Sequence, residues 1–260
     1  MTPDTPTDTD VRRLPGHYYR SPVKIVVAGC GGTGSHMISG LARLDACLRG
    51  LDHPGFEVVA CDPDRVSPTN VGRQMFAPSD VGLYKADVLI HRANLWFGLD
   101  WESRPVALNG EIDTRSQIHL LIGCVDSWAA RQDLLRAAQK LHADYWLDCG
   151  NGDSWGQVVL GEIATGRHGH RDLLPTVLDR FPDVDPDIDA DAGPSCSLAE
   201  SLGRQGPMIN QALATLALDA LWQTFRTGRI DRAAWFLNLA SGRMTSSPAT
   251  MRTPDLETAT

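Results

Sequence analysis

The sequence predicts an α/β domain built on an open, mostly parallel sheet with helices on both faces. Three observations lead there. Short apolar runs rich in β-branched residues recur, notably Val23–Ala28 and Leu120–Val125, and their lack of polar alternation suits strands covered on both sides. Segments of helical period separate these runs, which is the pattern of a sheet made from crossover units. The first run opens directly into a glycine-rich turn, Gly29-Cys30-Gly31-Gly32-Thr33-Gly34, with a helical pattern behind it.

Taken in order, residues 1–22 are rich in Thr, Asp and Pro and read as a flexible arm. Val23–Ala28 is a central strand; after the glycine turn a helix runs from about Ser35 to Leu44. Phe56–Cys61 is the second strand and ends on Asp62. Ser79 or Asp80 caps a helix that reaches about Trp96, with Lys85 in its early turns. Arg104–Leu108 reads as a third strand. Leu120–Val125 is a buried strand that stops at Asp126, and a helix follows from about Ser127 to Leu141. Tyr145–Asp148 and Gly156–Gly161 are strands joined by the turn Cys149–Asp153. Residues 164–200 carry Asp and Pro without a long period and read as one long crossover loop. Pro207 opens a helix carrying Met208, Ile209, Leu213, Leu216, Leu221 and Phe225 that runs to Gly228, and Ala234–Leu239 closes as a strand. One domain over 23–245 and a disordered tail over 246–260 complete the reading.

Bulk properties narrow the function. A chain of 260 residues supports one large α/β domain with a full core. Hydrophobic and charged contents of 42% and 22% fit a globular protein in water. A net charge of −8 disfavours nucleic acid as the main partner, since binding DNA needs a cationic face. No apolar run approaches membrane-spanning length and the polar, acidic N-terminus carries no targeting pattern, so a cytoplasmic location is expected. None of the six cysteines forms a C-x-x-C pair, and no zinc is expected.

The chemistry gathers around the glycine turn. Gly29, Gly31, Gly32 and Gly34 permit a tight bend and let backbone N–H groups approach a phosphate, while the helix behind adds partial positive charge. Asp62, at the end of the second strand, is placed to accept hydrogen bonds from a ribose, although it lies further from Gly34 than the spacing of about 20 residues in the dinucleotide fingerprint. Asp64, Asn70, Arg73, Gln74 and Lys85 follow as one polar string. Such a set beside a phosphate turn suits Mg-ATP better than a nicotinamide. Arg73 offers forked hydrogen bonds and Lys85 a compact charge, and both can stabilise an attacked phosphate, although either alone reads as an ordinary surface cation. Asp126 ends another strand at the same edge; it could hold Mg²⁺ or simply cap the next helix.

These motifs, with Cys124-Val125-Asp126-Ser127, resemble the ThiF/MoeB/ubiquitin-activating superfamily of adenylating enzymes, and more narrowly the ThiF-family member of the bacterial PRTRC system. The resemblance implies a Rossmann-like sheet with a ThiF-type C-terminal extension. It also implies ATP-dependent adenylation of the C-terminal carboxylate of a small ubiquitin-like or sulfur-carrier-like protein ending in glycine, by a homodimer. Carried over, Gly32 and Asp62 contact the nucleotide and its ribose, Asn70, Arg73 and Lys85 contact phosphates, Gln74 supports the site, and Asp126, followed by Ser127, organises Mg²⁺. Three departures stand out. The family's paired zinc cysteines are missing, its N-terminal arginine element is only hinted at by His17-Tyr18-Tyr19-Arg20, and the cysteine region is not a clean match. Cys196 in Gly193–Ser197 is the first candidate for a thioester-forming nucleophile; Cys149 is a weaker one, and Cys30 reads as packing. The acidic stretch Asp183–Asp191 and the pair His168 and His170 read as solvated loop. Two rivals share parts of the pattern: an NAD-dependent oxidoreductase, and a non-catalytic nucleotide-binding scaffold of a plasmid-encoded multiprotein system.

Overall fold

The structure is a computed structural model that describes residues 12–109, 117–164, 173–185 and 206–249. Among these residues there are ten strands: β1 (Arg12–Arg13), β2 (Val23–Ala28), β3 (Phe56–Cys61), β4 (Glu102–Arg104), β5 (Leu120–Gly123), β6 (Tyr145–Asn151), β7 (Trp155–Glu162), β8 (Arg229–Ile230), β9 (Arg232–Asn238) and β10 (Arg243–Pro248). The α-helices among the described residues are α1 (Gly32–Arg49), α2 (Lys85–Phe97), α3 (Trp128–Lys140), α4 (Val177–Arg180) and α5 (Ile209–Thr227). Eight strands form one sheet in the order β10-β9-β7-β6-β5-β2-β3-β4. The five from β6 to β4 are mutually parallel, and β7, β9 and β10 extend the sheet antiparallel.

Strand alternation divides the core into two layers. Val23, Ile25 and Val27 of β2 point into a cluster roofed by α1, α2 and α5, whereas Val26 and Ala28 point into a second cluster with Leu134, Ala137 and Ala138 of α3 and Val177 of α4. Burial of both faces explains why the central strands read as nearly unbroken apolar runs. Helix ends follow local chemistry. Ser127 caps α3, its Oγ accepting from Ala130 N at 3.2 Å, and α2 and α5 stop at Gly98 and Gly228 in the left-handed conformation. Among the described residues no helix is long and apolar enough to cross a membrane.

Several expectations are corrected. Residues 12–22 are not a loose arm: Arg12–Arg13 pairs with β8, Leu14 N donates to Gly228 O at 2.9 Å, and Tyr18 on a short 3₁₀ turn is buried. A polar, Pro-rich composition hid a few anchoring side chains. The third strand is Glu102–Arg104, not Arg104–Leu108; Pro105 lacks the N–H that would continue the ladder. The chain is also ordered past residue 246, because β10 pairs with β9 through Ser246 and Ser247, residues of weak strand propensity that the pairing overrides. Helix α1 begins at Gly32 and runs to Arg49, longer at both ends than expected, and Lys85 is the first residue of α2.

Candidate nucleotide site

From β2 the chain winds outward through β3 to β4, then returns to the other side of β2 to make β5 and β6. Ligands of open α/β sheets bind where that direction reverses, at the carboxyl ends of the strands. The glycine turn lies there. At Gly29 (φ +90°) a Cβ would sit 2.6 Å from the Cys124 carbonyl oxygen, and at Gly34 it would sit 1.9 Å from the Gly29 oxygen. At Gly32 it would meet the Asn210 side chain at 2.6 Å. These glycines are therefore required by packing. Gly31 differs: its nearest neighbour would be Gln74 Nε2 at 3.9 Å, so its backbone faces open space. Ser35 N donates to Gly31 O at 3.0 Å, closing the first turn of α1 below that opening.

Asp62 bolts the turn to β3. It is 6% exposed; its Oδ2 accepts from Cys30 N at 2.5 Å and its Oδ1 from Asp64 N at 2.8 Å. Burial raises its carboxyl above the usual range, opposed by those two bonds and by the Lys85 charge. The polar string is tied to the same place by Ser35, which the sequence reading passed over. Fully buried, its Oγ donates to Gly32 O at 2.9 Å and accepts from Met75 N at 3.2 Å, which draws Arg73 and Gln74 over the turn. Asn70 is buried, its Oδ1 accepts from Ser67 N at 2.9 Å, and its carbonyl accepts from Gln74 N. Gln74 is buried beside Gly31, and its Oε1 has no hydrogen-bond partner among the described residues. Arg73 is partly buried, and that burial lowers its guanidinium from the ordinary value. Lys85 is 7% exposed and its Nζ lies 2.7 Å from Oδ2 of Asp64, whose own side chain is largely in solvent.

Asp126 lies just beyond β5 with its side chain exposed. Ser127 takes the capping role at α3, so Asp126 is not engaged as the cap and Ser127 is committed to the helix. Behind them stands a buried ion pair: Arg131 Nε lies 3.1 and 3.2 Å from the two Asp148 oxygens, and Arg131 Nη2 donates to Val125 O at 3.1 Å. Burial raises the Asp148 carboxyl and the Arg131 charge opposes this. The pair fixes the carbonyl next to Asp126. Among the described residues no three His, Cys, Asp or Glu side chains converge as a metal site. A single rim carboxylate such as Asp126 still fits Mg²⁺, which takes most of its ligands from phosphate and water.

Other candidates separate from this rim. Cys196, His168 and His170 lie outside the described residues. Cys149 is sealed in the core, out of reach of a partner's activated carboxylate at the rim, which removes it as a thioester-forming residue; the neighbouring Cys124 thiol and burial push its own thiol well above the ordinary value. Cys30 is buried packing. Two residues not foreseen, Thr33 and Asn210, join α5 to the turn: Thr33 Oγ1 donates to Asn210 Oδ1 at 3.0 Å and Asn210 is 2% exposed. The signal available was the polar pair at the starts of two otherwise apolar helices.

A parallel sheet with a glycine turn at its direction switch and a carboxylate at the end of the next strand defines a Rossmann-like domain. The chain matches the ThiF family over residues 19–257 and belongs to that family. Among solved structures it is similar to E. coli MccB with ATP, at 15% identity and a TM-score of 0.62, over 90% of this chain and 65% of that one. E. coli MccB with selenomethionine MccA gives 14% and 0.61 over 90% and 65%, and PaaA gives 16% and 0.58 over 88% and 65%. The likeness is one of fold, and the chain spans slightly less than two thirds of those chains. No curated protein matches it.

Proposed function

We propose that the protein activates a C-terminal carboxylate of a peptide or small protein by ATP-dependent adenylation. The observation that carries this reading is the convergence at one rim of the open glycine turn, buried Asp62, the Asn70–Gln74 segment stitched down through Ser35, and Lys85. Family membership supports the activity, and MccB, of the same fold, is solved both with ATP and with MccA. In this reading Gly31 and the α1 N-terminus receive phosphate, Asp62 receives the ribose, and Asn70 and Gln74 shape the floor. The partner's carboxylate attacks the α-phosphorus, pyrophosphate leaves, and Arg73 and Lys85 stabilise the charge that develops. Asp126 would hold Mg²⁺, which when bound neutralises phosphate charge. A small ubiquitin-like partner with a C-terminal glycine, a thioester on Cys196, a homodimer, a PRTRC-type setting and a cytoplasmic location extend the same proposal.

The test is exchange of labelled pyrophosphate into ATP, with candidate small partners intact or lacking the last residue. Exchange should require the intact tail and fall about 100-fold or more in Arg73→Ala and Lys85→Ala. Partner-dependent function that survives both substitutions, with no exchange, would leave a scaffold; hydride transfer to a nicotinamide would leave an oxidoreductase.

A further inference from the structure

Cys124 and Cys149 lie side by side behind the glycine turn. Parallel pairing sets Gly123 opposite Asp148, so the next residues on each chain are neighbours across the end of the β5–β6 ladder. Paired strands run about 4.8 Å apart, within the Cα separation that a disulfide spans. The two side chains share a face: Cys149 belongs to the core layer under α1 and α5, and Cys124 packs against that layer. Both thiols are free, and the nearness of Cys124 is the first cause that raises the Cys149 thiol above its ordinary value. Cys149 is sealed at 2% exposure, whereas Cys124 keeps partial access to solvent. Cys124 is also part of the turn's wall. Its N donates to Ala28 O at 2.8 Å, its carbonyl faces Gly29, and its Cβ would stand 3.4 Å from a Cβ at Gly34.

We propose that Cys124 and Cys149 are joined by peroxide into a disulfide that disables the nucleotide rim. In the first step the Cys124 sulfur attacks hydrogen peroxide and the O–O bond breaks, giving a sulfenic acid and water. In the second, the Cys149 sulfur attacks the Cys124 sulfur, the S–O bond breaks, and the departing hydroxyl takes the Cys149 proton as a second water. Two thiols lose two electrons and one peroxide becomes two waters. An external thiol reverses the bond by exchange. Cys149, the sealed sulfur on the same face of the adjacent strand, is the resolving partner. Closing from contact to an S–S bond of about 2.05 Å draws Cys124 toward β6. Gly29 and Gly34 leave no slack against Cys124, so the turn moves with it, as does the segment carrying Asp126. The bond itself is independent of the adenylation proposal; only its consequence for ATP rests on that reading.

The experiment treats the reduced full-length protein with hydrogen peroxide, alkylates the remaining thiols, and searches the digest by mass spectrometry for a Cys124–Cys149 linked peptide, while ATP affinity is followed in parallel. The linked peptide should accumulate, affinity should fall about tenfold in step with it, and dithiothreitol should reverse both. Cys149→Ala should bind ATP like the reduced protein and keep that affinity after peroxide. Absence of the linked peptide once Cys124 is oxidised overturns the proposal, as does a Cys149→Ala protein that loses ATP like wild type. Should that variant fail to fold, the wild-type linked peptide and Cys149→Val decide. If reduced protein binds no ATP at all, the adenylation reading falls and the linked peptide alone decides the disulfide.

Discussion

Lys85 is the residue most at odds with its surroundings. It begins α2, where the helix dipole disfavours a cation, and it is 7% exposed. Its partner Asp64 has a side chain 62% exposed, so the ion pair contributes little. A cation kept there at a cost points to use by an anion. Lys85→Met, which keeps the stem and removes the charge, should therefore raise the melting temperature of the ligand-free protein by a few degrees, about 1 kcal/mol, while abolishing exchange; scanning calorimetry on the two proteins checks it. Asp62, Asn70, Gln74 and Lys85 were legible in the sequence because their spacing after a strand and a glycine turn is unusual for an ordinary loop. Ser35 and Asn210 were not. A serine inside a helix and an asparagine at the start of a remote one resemble filler until the fold brings them to the turn.

At the scale of elements, two strands are set by imidazoles. His119 Nδ1 accepts from Lys24 N of β2 at 2.9 Å, and His53 Nδ1 accepts from Gly55 N just before β3 at 3.0 Å. Burial first of all lowers both pKa values; Asp144 opposes this at His119 and Asp45 at His53, while Lys24, His17 and Arg49 reinforce it. Protonating either Nδ1 also removes a backbone hydrogen bond. The unfolded chain thus takes up protons before the folded one does. The stability held by the neutral rings is complete above the unfolded value of about 6.5 and is lost as pH falls through the folded values. Melting temperature should hold level from pH 7.5 to about 6.5 and drop below that toward pH 5, and the double variant His53→Asn/His119→Asn should flatten that slope. Strands β2, β3 and β5 were readable because burial on both faces leaves apolar runs broken only by Lys24 and Glu57 near the strand starts. β4 is too short to show a pattern, and β10, which reads Arg-Met-Thr-Ser-Ser-Pro, pairs because β9 is beside it.

Across the whole molecule, the N-terminal segment fastens distant parts of the chain at the sheet rim opposite the glycine turn. Tyr18 is 1% exposed, its hydroxyl donates to Asp144 Oδ2 at 3.0 Å, and its ring packs near Tyr145 and Phe225. Tyr19 OH donates to Phe225 O at 3.0 Å, and Arg12 lies 3.5 Å from Glu162. Tyr18→Ala should cost about 3–5 kcal/mol, as for other large aromatic truncations, measured by urea unfolding, and should leave nucleotide affinity unchanged in the protein that remains folded. Contacts between residues so far apart in sequence leave no local trace, which is why the segment read as loose.

That fastening also fixes the address of Arg20. It emerges exposed just ahead of β2, whereas the glycine turn leaves from the other end of that strand. Six residues of strand hold the two ends roughly 17 Å apart, beyond the span of one guanidinium arm. Whatever anion Arg20 greets, it is not the guest seated in its own chain's cradle.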